Sequence, residues 1–434
     1  MSEVAQVPQL RFPEFSGEWE DGKLGNYGNL INGLTYSPDN IVDDGLLVLR
    51  SSNVQNGQIY LNDNVYVNLD VDDAALTKED DILICVRNGS KRLIGKSTII
   101  NKNLPKSTHG AFMTVFRGES NKFISHWFHS SIYYKEVHKN LGATINSING
   151  SNLKKFKTIF PLKPEQQKIA AFLTAVDNKI EQLSKKQALL GEYKKGLMQQ
   201  IFSQAIRFHP KGTSSQAQGE IDDTPGQPLL PNGNSPSGSD FPDWEEKKLG
   251  DITDLITKGT TPTSVGYNFT TEGINFIKVE SIKNFKIDIG SVPKISEECH
   301  HHLKRSQLKN NDIVFSIAGT LGRTAIVKNK DLPANTNQAL SIIRLNRSQH
   351  ILFVHYLLNL ESIDKYIHRM LSVGAQPNLS LQQVGDIQLQ LPSLLEQSKI
   401  TNFLSSIDNK IEQVGKQLDE SKQFKKALLQ QMFI

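Results

Sequence analysis

The nine residues Gly89-Ser90-Lys91-Arg92-Leu93-Ile94-Gly95-Lys96-Ser97 come nearest to a phosphate-binding loop. Such a loop places four residues between its first glycine and the Gly-Lys pair, so that backbone N–H groups close around a phosphate. Here five residues intervene, and the run reads as a basic turn between strands. Cys299-His300-His301-His302 gathers thiol and imidazole groups. Structural zinc needs four ligands at defined spacings, no second cluster offers the rest, and this run reads as a polar turn. The chain has no G-x-S-x-G, no glycine-rich cofactor loop after a strand, and no Asn-Pro-Pro-aromatic segment of the kind adenine methyltransferases use. These residues predict a binding protein with no catalytic residues, no metal site and no cofactor of its own.

Composition sets outer limits. At 434 residues the chain exceeds one ordinary domain, and 38% hydrophobic residues can fill real cores. A net charge of +4 and a pI near 8.7 permit a polyanionic partner without demanding one. Cys85 and Cys299 stand far apart, which points to a reducing compartment and no disulfide framework. The opening MSEVAQVPQL lacks the basic and apolar regions of a signal peptide. No apolar run reaches eighteen residues. The expected location is cytoplasmic, with no membrane contact.

The elements that must position any binding residues occur twice. Residues 161–202 begin PLKPEQQKIAAFLTAVDNKIEQL and end YKKGLMQQIF; residues 392–433 begin PSLLEQSKITNFLSSIDNKIEQV and end FKKALLQQMF. The offset between the copies is 231 at both ends, with no gap. A shorter repeat opens each half: WEDGKLG at 19–25 and WEEKKLG at 244–250. Leu10-Arg11-Phe12 resembles Ile206-Arg207-Phe208, so the second half begins near Ile206 and is then interrupted. The interruption, 209–240, is rich in Pro, Gly, Ser and Gln and has no apolar period, as flexible linkers do. Segments 46–49, 81–86, 96–100, 274–279, 312–317 and 324–327 read as strands, and 123–137 and 351–370 as helices. The expected division is 1–160 for the first module, 161–203 for its helix, 204–243 for the linker, 244–391 for the second module and 392–434 for the last helix.

The two helical repeats carry an apolar seam. Ile169, Val176, Leu183, Leu190 and Leu197 recur every seven residues beside Leu173 and Ile180; Ile400, Ile407, Val414 and Leu428 recur beside Leu404, Ile411 and Leu418. Such a/d spacing over about five heptads is a coiled-coil pattern. Gln187, Lys194, Ser421 and Lys425 interrupt it. A helix of about 40 residues runs about 60 Å and cannot bury a narrow stripe alone. The other copy in the same chain, packed antiparallel, is the economical partner, in preference to a second chain. The fold class is α+β: two pseudo-symmetric globular domains separated by two long antiparallel helices. Lys185-Lys186, Lys194-Lys195 and Lys425-Lys426 read as solvated faces or subunit contacts.

Together these features resemble the specificity subunit of type I restriction–modification enzymes. The likeness is carried by Pro161, Glu165-Gln166, Ile169, Phe172-Leu173, Asp177 and Lys179-Ile180, and by Pro392, Glu396-Gln397, Ile400, Phe403-Leu404, Asp408 and Lys410-Ile411. The openings at Trp19 and Trp244, the turn Ala318-Gly319-Thr320-Leu321-Gly322-Arg323 and the run Gly374-Ala375-Gln376-Pro377-Asn378 add to it. The resemblance implies two target recognition domains, each reading half of a split double-stranded DNA site. It implies docking of two methyltransferase subunits and recruitment of restriction/translocase subunits. S-adenosylmethionine, ATP and Mg would then belong to those partners. A coiled-coil adaptor that binds only proteins is the alternative.

Two modules on a stiff spacer can address one face of a duplex about every 34–36 Å, and modules of different sequence predict an asymmetric site. Arg and Lys suit guanine, Asn and Gln suit adenine, and phosphates accept from Lys, Arg, Ser and Thr. On that basis the DNA-contact candidates in the first module are Thr35, Tyr36, Arg50, Ser51, Ser52, Asn53, Arg87, Asn88, Ser90, Lys91, Arg92 and Lys96. In the second they are Lys258, Thr260, Thr261, Lys278, Thr320, Arg323, Asn335, Thr336, Asn337 and Gln338.

Overall fold

A computed structural model describes residues 7–101, 103–141, 146–208, 241–373 and 378–434. The central part of the expected linker, 209–240, and residues 374–377 of the run before the last helix lie outside the described residues. The chain divides into two compact units, Met1–Gln187 with Val414–Ile434, and Ala188–Gln413. No described helix is long and apolar enough to cross a membrane.

In the first unit, β-branched and aromatic runs form a four-stranded antiparallel sheet ordered Gly28–Asn32, Met113–Gly118, Ile82–Cys85, Ser97–Ile99. Ile82–Cys85 is buried at every position, as befits a central strand covered on both faces. A second sheet sets Ser107–His109 parallel to Leu46–Leu49. Glu20–Lys23 pairs antiparallel with Lys157–Phe160, so the start of the module is tied to its end. An aromatic core of Phe123, Trp127, Phe128, Tyr133 and Phe160 lies under the sheet, and Phe433 joins it with its ring 5.4 Å from Phe123.

The second unit repeats the plan. Its sheet runs Thr253–Lys258, Leu340–Leu345, Ile313–Ser316, Thr324–Ile326. Ile274–Ile277 pairs parallel with Ala334–Thr336, and Glu245–Lys248 closes on Gln388–Leu391. Each sheet also keeps one ion pair on a buried aspartate: half-buried Arg117 grips Asp81 through two bonds of 2.8 and 2.7 Å, and half-buried Arg344 grips Asp312 through two of 2.7 Å.

The heptad seams form helices where the spacing predicts them, Lys163–Phe202 and Leu394–Gln431. Ile169, Leu173, Leu183, Leu197, Ile400, Leu404, Ile407, Val414, Leu418 and Leu428 are buried; Val176, Ile180, Leu190 and Ile411 are half-buried. The repeated Glu-Gln pair starts each helix in the same way. Gln166 donates to the carbonyl of Pro161 at 2.8 Å and Gln397 to that of Pro392 at 2.9 Å. Buried Glu165 takes Arg11 in a two-bond pair, and buried Glu396 takes Arg207. The short Leu-Arg-Phe and Ile-Arg-Phe repeat thus exists to latch the entry of each half onto its helix.

In the first unit Lys425, from the late turns of the second long helix, pairs with Asp177 of the first at 2.5 Å. In the second unit Lys194 pairs with Asp408 at 2.6 Å. Late turns meet early turns in both cases, so the two helices run antiparallel within each unit. The sequence reads Lys194 and Lys425 as solvated faces or subunit contacts. They are instead mostly buried partners of these aspartates, and they interrupt the apolar seam because the seam carries one ion pair in each unit. Gln187 fills the space above Gly415, where an added Cβ would come within 2.7 Å of its Nε2.

Candidate nucleic-acid interface

In the first module the candidate residues sit on loops at one end of the strands, and specific bonds draw those loops together. Strand Leu46–Leu49 leads into a short turn, Ser51–Asn53. Ser51 is its hub. Lys96 Nζ donates to the Ser51 carbonyl at 2.7 Å, and Asn88 Nδ2 donates to Ser51 Oγ at 2.9 Å. Burial lowers the Lys96 pKa from the usual lysine value, against a smaller upward pull from Cys85. The nine-residue basic run is a turn between strands Ile82–Cys85 and Ser97–Ile99, and Lys91, Arg92 and Ser90 are exposed on it. Arg87 is exposed with its guanidinium 5.5 Å from the Phe112 ring centre. Exposed Thr35 and half-buried Tyr36 follow Leu34, which bridges to Gly110. That approach needs Gly33, because a Cβ there would lie 2.1 Å from the Gly110 carbonyl oxygen.

The second module gathers the matching loops. Gly259 and Thr260 donate to the carbonyls of Asn337 and Thr336, both at 3.1 Å. Gly259 plays the part of Gly33, since a Cβ would lie 1.9 Å from the Thr336 carbonyl oxygen. Thr261 Oγ1 bonds Gln338 Oε1. Lys278 caps the turn Val279–Ser281, as Arg50 precedes Ser51–Asn53, and its Nζ lies 4.7 Å over the Phe269 ring. Ser316 Oγ donates to the Thr320 carbonyl at 2.6 Å and accepts from Arg323 N–H at 2.8 Å, which closes the turn bearing exposed Thr320 and Arg323. Lys258 is exposed at its strand end.

Three candidates face inward. Asn53 is buried and its amide donates to the carbonyls of Tyr60 and Asp63 at 3.0 and 3.2 Å. Asn335 is buried, donating to Leu303 O and Ser306 Oγ while its Oδ1 meets His300 Nδ1. Thr336 donates its hydroxyl proton to the Ile277 carbonyl at 2.9 Å. In this structure these polar groups shape the loops that present the others. Arg50 is partly neutralised by Asp63 at 2.8 Å. Among the described residues, Arg87, Lys91, Arg92 and Lys258 form no ion pair, which leaves their charge for a polyanion.

Sequence reading missed Phe112, which is 58% exposed beside Arg87, and Arg305, whose Nη2 reaches Thr260 Oγ1 at 3.3 Å. A lone Phe in sequence looks like core, and Arg305 lies far from the other candidates along the chain, so neither carried a signal.

Two copies of one module, each with basic and amide side chains on one loop cluster and each joined to a long helix, define a duplicated binding protein. The family model described as the type I restriction modification DNA specificity domain matches residues 16–190 and again 242–421, and the chain belongs to this family. It is similar to the type I restriction enzyme MjaVIII specificity subunit of Methanocaldococcus jannaschii, 25% identical over 97% of this chain and 92% of that protein. It is similar also to the StySPI specificity subunit of Salmonella potsdam, 25% identical over 93% and 85%. The fold matches the crystal structure of a type I restriction–modification S subunit from M. genitalium, with a TM-score of 0.59, 17% identity and 99% of both chains covered.

Proposed function

We propose that this chain is the DNA-specificity subunit of a cytoplasmic type I restriction–modification assembly. Each module reads one half of a split, asymmetric site through its loop cluster. Two methyltransferase subunits dock on the helical regions and methylate adenine with S-adenosylmethionine. Restriction/translocase subunits, using ATP and Mg, join the larger assembly. The chain itself holds no catalytic group.

The observation that supports this best is the recurrence of one loop cluster in both modules with different side chains. The backbone plan is kept and the readout chemistry changed, as two unlike half-sites require. Exposed Arg87, Lys91, Arg92, Thr35, Ser52 and Ser90, with half-buried Lys96, Ser51, Asn88 and Tyr36, form the first reading face. Lys258, Lys278, Thr260, Thr261, Thr320, Arg323, Asn337 and Gln338 form the second. The test is to map methylated adenines in a host carrying this chain and its methyltransferase, and again after deleting this chain. Loss of one split, asymmetric motif is expected. An unchanged methylation map overturns the proposal.

A further inference from the structure

The loop that joins the strand parallel to Leu46–Leu49 to the next sheet strand has three residues in each module. It is Gly110-Ala111-Phe112 in the first and Asn337-Gln338-Ala339 in the second. The backbone is held alike in both: Val86 N–H donates to the Phe112 carbonyl at 3.0 Å, and Ile317 N–H donates to that of Ala339 at 2.8 Å. Ala339 is half-buried. Phe112 puts a phenyl ring, 58% exposed, at the equivalent place.

That ring is fixed. Arg87 N–H also donates to the Phe112 carbonyl, at 3.1 Å, Ala111 N–H donates to Leu34 at 2.9 Å and Gly110 N–H to Leu49 at 3.0 Å. The Arg87 guanidinium covers one side of the ring. A single exposed apolar side chain is ordinary on a protein surface. This one is clamped on both sides of its backbone and has beside it Arg87, a residue that suits phosphates. Such a setting would bring an apolar tip to the edges of the bases. The one apolar feature among base edges in the major groove is the C5-methyl group of thymine.

We propose that Phe112 is a specificity-determining residue of the first module and packs against a thymine C5-methyl in its half-site. This rests on the DNA-reading function proposed above. The second module lacks the contact, since Ala339 and the amide of Gln338 stand in its place.

The test uses the full chain assembled with its methyltransferase. Methylated adenines are mapped for the native chain and for Phe112→Ala. The expected variant motif loses discrimination at one T·A pair of one half-site and keeps the other half-site intact. Duplexes in which that thymine is replaced by deoxyuridine lose only the methyl group. The native complex should bind them about fourfold more weakly, the worth of one buried methyl, and the variant should not distinguish them. Phe112→Leu, which keeps the apolar contact, should retain the native motif. An unchanged motif in Phe112→Ala overturns the proposal, as does an equal deoxyuridine effect in both complexes, or a relaxed motif with no deoxyuridine effect, which would mean the ring stacks on an unpaired base. If the native chain itself directs no split motif, the DNA-reading function fails and this inference with it. Melting temperatures of the three chains verify that each is folded.

Discussion

Asp177 of the first long helix holds Lys425 of the second at 2.5 Å, and 231 residues further along Asp408 holds Lys194 at 2.6 Å. Each aspartate also faces one module. His126 Nδ1 lies 3.7 Å from Asp177, and the Tyr356 hydroxyl donates to Asp408 at 2.6 Å. The aspartates are thus the points at which the helix pairing and a recognition module share one group. The repeated DNKIEQ segment is where the sequence writes this relationship, since its Asp is Asp177 in one copy and Asp408 in the other.

These aspartates are partly exposed, so water screens each pair. Lys425→Ala should therefore destabilise the first unit by about 1 kcal/mol, the upper range for such pairs. A double-mutant cycle with Asp177→Ala, read by urea denaturation, should return a coupling of that size. Additive losses would mean that the pair is only a contact of convenience. Lys194→Ala with Asp408→Ala should repeat the result in the second unit, with a further loss for Asp408→Ala because the Tyr356 hydroxyl then loses the carboxylate it donates to.

The Arg207 latch should behave differently, because Glu396 is fully buried. Arg207→Ala leaves a carboxylate out of water with no cation, a change that costs about 3–5 kcal/mol. Arg207→Ala with Glu396→Leu should recover most of that loss. Hydrogen exchange of the second unit should show the single variant opening the first turns of helix Leu394–Gln431. Equal stability of the single variant and the native chain would contradict this.

How much of this was legible beforehand follows the range of the interactions. The long helices announced themselves through a seven-residue apolar period, a local property. The Arg11 and Arg207 latches left a trace as a three-residue repeat, although their partners Glu165 and Glu396 could not be assigned without the fold. The reading faces were legible only by residue type. Asn53 and Asn335 have the amides that adenine recognition uses, yet the fold spends both on internal carbonyls. Phe112 was hidden for the opposite reason. Its exposure depends on the parallel pairing of Ser107–His109 with Leu46–Leu49, a contact between segments far apart in the chain.

Acid should weaken the fold in a defined window. Burial is the main cause that pulls His126 down to about 3 and His129 and His355 to about 4, from the ordinary value of 6.5. All three are neutral when folded at neutral pH. Below about pH 6.5 the unfolded chain binds protons that the folded chain refuses, so stability falls as pH falls until about 3 to 4. Each histidine should cost up to about 2 kcal/mol between pH 7 and pH 5. Denaturation midpoints across that interval should fall steeply for the native chain and less steeply for His355→Gln. Parallel curves would show that His355 is not among the groups responsible.

Charge on the first reading face should appear in the salt dependence of binding. Lys91 and Arg92 are exposed on the turn between two strands and make no ion pair among the described residues. If each neutralises one phosphate, changing both to Ala should reduce the slope of log affinity against log salt by roughly 2. The methylated motif should stay the same, because phosphate contacts position without specifying sequence. Asn335→Ala should do the reverse. It removes an internal amide, so stability should fall by about 1–3 kcal/mol, while the salt slope holds.

The two close-approach glycines give the sharpest separation of the halves. Gly33 and Gly259 each run against a carbonyl, of Gly110 and of Thr336, at distances that no Cβ could occupy. Gly259→Ala must push apart the loops bearing Thr260, Thr261, Asn337 and Gln338, and Gly33→Ala those bearing Thr35, Tyr36 and Phe112. Substitutions with such a backbone clash belong to the class that costs several kcal/mol locally. Each unit has its own core, so the damage should stay in the module that carries it. Methylation maps and gel shifts on duplexes altered in one half-site are the readout. Gly33→Ala should lose discrimination in one half-site, and Gly259→Ala in the other. Relaxation of the same half-site by both variants would mean that the loop clusters do not divide the site between them.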